Sequence, residues 1–239
     1  MGSKKIEASY KRHILEVHYP TIPRVFDSIG RIITDIHDDI RKDFAHWVVQ
    51  IGGVNFKDEL NGTKRHFIIS HNSSVLSFEN PGSTTEFKDK VKKYLKFMHN
   101  ELGDSINEHV EMKYRLLQMH LIKRLSSKDT ISKLITEKLV NFPAGNALVP
   151  LYSMLRLEHE HGRISIAPVE RDESWVKNTF VDLSTRFNVG LLMDIESNIN
   201  EATANDYNNV TSMAEKVYEA TEAVEEFLLQ QLELLDDKR

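Results

Sequence analysis

The run Glu158-His159-Glu160-His161 is the best candidate metal sequence in the chain. On a strand, His159 and His161 share a face, and two imidazoles at that spacing can chelate zinc or another transition metal. A third ligand has to come from His66, His71 or a distant carboxylate. The plainer reading is that both His continue the apolar face of Leu155 and Leu157 to its wet end, beside a turn at Gly162. Two acidic groups invite metal or acid–base chemistry as well. Asp35, Asp38 and Asp39 flank His37, but they share the polar face of a helix opposite Ile36 and Ile40, where solvation accounts for them. Asp194 and Glu196 lie on one side of a strand, where exposure or a salt bridge to Arg115 or Arg186 is the economical account.

Arg-x4-His recurs at Arg41/His46, Arg115/His120 and Arg156/His161. In helical ribonucleases of the HEPN type, an Arg and a His at such spacing cleave RNA without metal. Residues five apart on a strand point to opposite faces, and the second and third pairs fall in expected strands. Only Arg41 and His46, at a helix end, keep that reading open. A third candidate is the segment Lys88 to Lys96, with five Lys in nine residues and Tyr94 and Phe97 interleaved. It can bind phosphate backbones, or it is the solvated side of an amphipathic helix. Neither Gly52-Gly53 nor Pro143-Ala144-Gly145-Asn146 has the spacing of a phosphate-binding loop.

Composition narrows the classes. The 239-residue chain has no Cys, which removes disulfides, thiolate nucleophiles and Cys-based metal centres together. Apolar residues make up 40% and charged residues 28%, as in an ordinary globular protein. The net charge of −5 disfavours general nucleic-acid affinity, although residues 1–103 carry +3 and the remainder −8. No apolar run approaches the length of a membrane span, and the opening residues lack the apolar core of a secretory signal. The sequence therefore predicts a cytoplasmic protein with no membrane association and no cofactor.

These residues need elements to hold them. Helical stripes are expected over Ile22–Ile40, over a segment opened by the capping box Ser83-Thr84-Thr85-Glu86 and closed by Gly103, over Thr130–Val140, and over about Asp206–Leu235. Strands are expected at His13–Tyr19, Trp47–Ile51, Phe67–Ile69, Val75–Phe78, Val110–Leu121, Leu151–Leu157, Arg163–Ala167 and Phe187–Ile195. In the Val110–Leu121 strand the apolar phase slips at Leu116-Leu117, which predicts a bulge or bend. The order reads strand, helix, strands, helix, twice over. The expected fold is thus α+β: two pseudo-repeated strand–helix–antiparallel strands–helix units, 1–103 and 104–239, forming one body with helices packed on antiparallel sheet.

This element order resembles that of a sporadically distributed prokaryotic protein family of uncharacterised function. The resemblance is carried by Glu111-Met112-Lys113-Tyr114-Arg115 in a middle strand, by Leu191-Leu192-Met193-Asp194-Ile195-Glu196 in a late strand, and by Phe227 near the end. It implies a duplicated α+β architecture and brings no activity with it.

The leading expectation is a non-enzymatic protein-binding or assembly component that works through sheet edges or the acidic C-terminal helix. On that helix Tyr218, Phe227, Leu229 and Leu234 form a second, partly apolar set, beyond what one packing face requires. The alternatives are a metal-independent ribonuclease centred on Arg41 and His46, a His159/His161 metal-site effector, and a nucleic-acid-binding module using Lys88–Lys96.

Overall fold

A computed structural model describes residues 8–39, 43–59, 64–81, 84–102, 110–120, 127–138, 154–159, 162–170, 172–180 and 189–199, with seven helical positions between 212 and 223. Nine strands form a single antiparallel sheet: β1 (Ala8–His18), β2 (His46–Gln50), β3 (Gly53–Lys57), β4 (Arg65–Ser70), β5 (Ser73–Glu79), β6 (Glu111–His120), β7 (Leu155–His159), β8 (Gly162–Glu170) and β9 (Val189–Ile199). The helices are α1 (Arg24–Asp39), α2 (Thr84–Leu102), α3 (Lys128–Lys138) and the six-residue α4 (Ser174–Thr179). Across the sheet the strands run β2-β3-β4-β5-β1-β6-β9-β8-β7. From the central β1–β6 pair, the order descends outward on both sides.

The expected fold class is corrected by this arrangement. In place of two α+β units, each with its own pair of helices packed on a sheet, one continuous nine-stranded sheet dominates the described residues. Strands β1, β4, β5, β8 and β9 are longer than apolar alternation suggested, because polar residues that read as strand ends or loops occupy the second face of the same strands. Tyr10 and Arg12 extend β1, for example, and Glu79 closes β5.

Cross-strand partners share a face, so register and burial together sort the side chains. Leu15 and Val17 of β1, Phe67 and Ile69 of β4, Met112, Tyr114 and Leu116 of β6, and Met193 and Ile195 of β9 belong to one buried cluster. Val25 and Ile32 of α1, Ile131 and Ile135 of α3, and Phe87, Val91, Tyr94, Leu95, Met98 and Leu102 of α2 belong to it as well. The opposite face is mostly polar. A smaller apolar cluster there joins Tyr10, Leu117, Met119, Val169 and Leu192 to Val176 and Phe180 at α4.

Two clusters on opposite faces explain the apolar slip in β6 without a bulge. Leu116 faces the large cluster and Leu117 the small one, and both are buried. Pairing with β1 and β9 runs unbroken through this step, and the one irregularity of the β1–β6 ladder lies between Ala8 and Tyr10. Among the described residues, no helix is long and apolar enough to cross a membrane.

Candidate functional site

Between Asp43 and Lys57 the chain carries no Lys, Arg, Asp or Glu, and within that stretch it forms a hairpin at one margin of the sheet. Aromatic and β-branched residues in His46-Trp47-Val48-Val49-Gln50 favour extended backbone. Ile51 and Gly52 make the two-residue turn, Gly52 taking φ 87°, a conformation open chiefly to glycine. The next residue must be small for a different reason. A Cβ on Gly53 would lie 2.0 Å from the Ile69 carbonyl oxygen, so β3 could not hold its distance from β4.

Hydrogen-bond phase decides what β2 presents outward. His71 N–H donates to Gly52 O at 3.0 Å and Asp58 N–H to Arg65 O at 3.2 Å. These flanking bonds make Gly53/Ser70 and Lys57/His66 wide pairs of the β3–β4 ladder, so Gly53, Asn55 and Lys57 turn their own backbone groups toward β2. Their partners Gln50, Val48 and His46 answer them. Trp47 and Val49 therefore direct N–H and C=O to the outer side, where no described strand pairs.

The side chains there are uncovered. Trp47 is 46% exposed, Val49 57% and Ile51 fully, with Phe26 of α1 close to the turn and 48% exposed. Edge strands are usually blunted by charge, proline or a bulge, and β2 has none of the three. The opposite margin, β7, has exposed Leu157, with exposed Met154 just before it, but also exposed Arg156 and Glu158. That margin is defended.

The sites expected from sequence fall elsewhere. His46 is the exposed first residue of β2, and Arg41 lies outside the described residues. Arg115 of the second Arg-x4-His pair is bound to Asp194. Arg156 is exposed on β7, and His161 is outside the description. The His159 backbone pairs with Gly162, and no group of three or more metal-ligating side chains occurs among the described residues. Asp194 and Glu196, on one face as expected, are each engaged by an arginine, Arg115 and Arg163.

Several of the Lys88–Lys96 side chains are turned to internal contacts. Lys88 sits 4.6 Å above the Tyr218 ring, Lys90 binds Asp43 at 2.5 Å and Lys92 binds Glu215 at 2.9 Å. Tyr218 belongs to the interior rather than to a partner-facing set, being 3% exposed. Phe227, Leu229 and Leu234 lie outside the described residues.

Trp47 and Val49 lie in a strand as expected, with Ile51 in the turn after it, but alternation alone does not show that this strand is at the sheet margin and uncovered. The available signal was the absence of charge from Phe44 to Phe56. A buried polar group on the second face has no counterpart among the expected sites. Arg12 donates to Ser77 Oγ at 2.9 Å and to the Thr179 carbonyl at 2.5 Å, and lies 3.8 Å from the enclosed Glu79 carboxylate. Two strands away, burial, Arg12 and Lys57 lower the pKa of His66 to about 4.

No family model matches this chain, and no curated protein matches it.

Proposed function

We propose that this protein is a non-enzymatic binding or assembly component that engages another polypeptide chain through the outer edge of β2. The observation that carries this reading is an edge strand without charge, in which Trp47 and Val49 offer both outward backbone groups and exposed apolar side chains. Strand addition uses that combination: main-chain hydrogen bonds supply attachment and alternate side chains supply selectivity. Exposed apolar area gathered on one margin marks interaction surfaces more often than scattered residues do.

Val49→Lys tests the reading. The substitution puts a charge on the open edge and leaves the buried face of β3 unchanged. Size by light scattering or the set of co-purifying polypeptides should change, while the circular dichroism spectrum stays that of the folded chain. Unchanged size together with an unchanged set of partners would remove the β2 edge as the binding surface.

A further inference from the structure

We infer that the polypeptide received by the β2 edge is a second copy of this chain, paired antiparallel β2 to β2 about a two-fold axis at Val48. The inference rests on the proposed binding role of that edge and goes further by naming its occupant.

Self-pairing in this register satisfies each layer of the edge. With Val48 on the axis, Trp47 lies opposite Val49 of the second copy, the two residues whose N–H and C=O point outward. They exchange both hydrogen bonds, and the symmetric Val49–Trp47 pair repeats them. Trp47 is also the cross-strand partner of Phe56, and Val49 of Val54, both buried in the main core. One row then runs Phe56, Trp47, then Val49 and Val54 of the second copy, and its mirror image lies beside it. The large apolar face of the sheet continues across the axis without a polar break. Exposed Ala45 meets Ile51 of the second copy, a small residue opposite a protruding one.

Charge allows this pairing as well. The matched pairs are Ala45/Ile51, His46/Gln50, Trp47/Val49 and Val48/Val48, so no formal charge faces another across the axis. An isologous interface of this kind closes after two copies. Pairing β2 with the other margin, β7, would instead set Arg156 and Glu158 against an uncharged strand and would propagate.

The cysteine-free chain gives a direct test. Val48 turns its backbone groups toward β3, so the Val48–Val48 contact is a non-hydrogen-bonded pair with Cα atoms about 4.5 Å apart. That spacing lies within the disulfide range of about 4.4 to 6.8 Å. Val48→Cys should cross-link under mild oxidation into a species of twice the 27.6 kDa chain mass. Ile51→Cys should not, because its two copies lie six residues apart along the paired strands. Unmodified protein should show the doubled mass by light scattering, and Val49→Lys the single mass.

Doubled mass without a Val48→Cys cross-link would overturn this register and axis. Single mass, with a different polypeptide bound and lost in Val49→Lys, would overturn the second copy and keep the edge as a binding surface. Single mass with no binding sensitive to Val49→Lys would overturn both.

Discussion

Arg115 grips Asp194 with two parallel bonds, Nε to Oδ1 at 2.8 Å and Nη2 to Oδ2 at 2.6 Å, across the junction of β6 and β9. The bond to Asp194, acting against burial, raises the Arg115 pKa. The directly opposed partner of Arg115 is Glu196, which turns to Arg163 at 3.3 Å. Charges on this face therefore alternate between neighbouring strands.

The two-pronged geometry adds to a partly solvated pair, with side-chain exposures of 40% and 20%. Such a pair is worth about 1 kcal/mol. Asp194→Asn and Arg115→Gln should each lower stability by about that amount, and the double variant should cost little more than either single one. Urea unfolding of the four proteins measures the coupling. Fully additive losses would mean the pair contributes nothing as a pair.

His13 makes stability depend on pH. Burial, with a smaller contribution from Lys11, lowers its pKa to about 3, and its ring packs beside those of Phe87 and Tyr218 while Nδ1 shares a hydrogen bond with the Tyr114 hydroxyl. The unfolded chain takes up this proton near pH 6.5, whereas the folded protein does so only near 3. Stability is therefore fully present above pH 6.5 and is lost as pH falls toward 3. Between pH 6.5 and 5 the loss from His13 is about 2 kcal/mol. His66, lowered to about 4, acts in the same direction. Urea midpoints at pH 7 and pH 5 should differ accordingly, and His13→Gln should shrink the difference. An equal pH dependence in the variant would exclude a neutral, enclosed His13.

Local periodicity carried the elements that depend on one face. In α2 the expected stripe of Phe87, Val91, Tyr94, Leu95, Met98 and Leu102 is the buried one. It could not carry relations set by distant strands. Leu116 and Leu117 looked like a slip because nothing local shows that the central strand has apolar cover on both faces. Trp47 and Val49 looked like any half-buried strand, since being marginal is a property of strand order. Arg12, surrounded by Lys11 and His13, gave no sign that Ser77, Glu79 and Thr179 enclose it.

Tyr218 fastens the last described helical positions to the sheet. Its ring is 4.9 Å from that of Tyr114 and stacks on His13 at 6.2 Å, with Lys88 over it. One turn further, Thr221 and Ser197 share a buried hydrogen bond of 2.8 Å. Tyr218→Ala should cost about 3 kcal/mol through the cavity it leaves. For a chain of this length that is a fall of roughly 10 °C in melting temperature. Tyr218→Phe should cost much less. If Tyr218→Ala leaves the melting temperature unchanged, this helix is not held by the aromatic cluster.

Arg12 and Glu79 offer the strongest electrostatic test, because neither is solvated. Arg12 is 5% exposed and the Glu79 side chain is fully enclosed. Burial lowers the Arg12 pKa, opposed by the charges of Glu79 and Asp58. Arg12→Met keeps most of the side-chain volume but removes the cation beside an enclosed carboxylate, and should cost about 3–5 kcal/mol. Adding Glu79→Gln to that variant should restore part of the loss, since an amide is cheaper to enclose than a charge. Glu79→Gln alone should be the milder single change, because Arg12 keeps Ser77 and the Thr179 carbonyl. Chemical denaturation of the three variants separates the cases. A double variant no more stable than Arg12→Met would show that Arg12 acts through its bonds to Ser77 and Thr179 rather than by balancing Glu79.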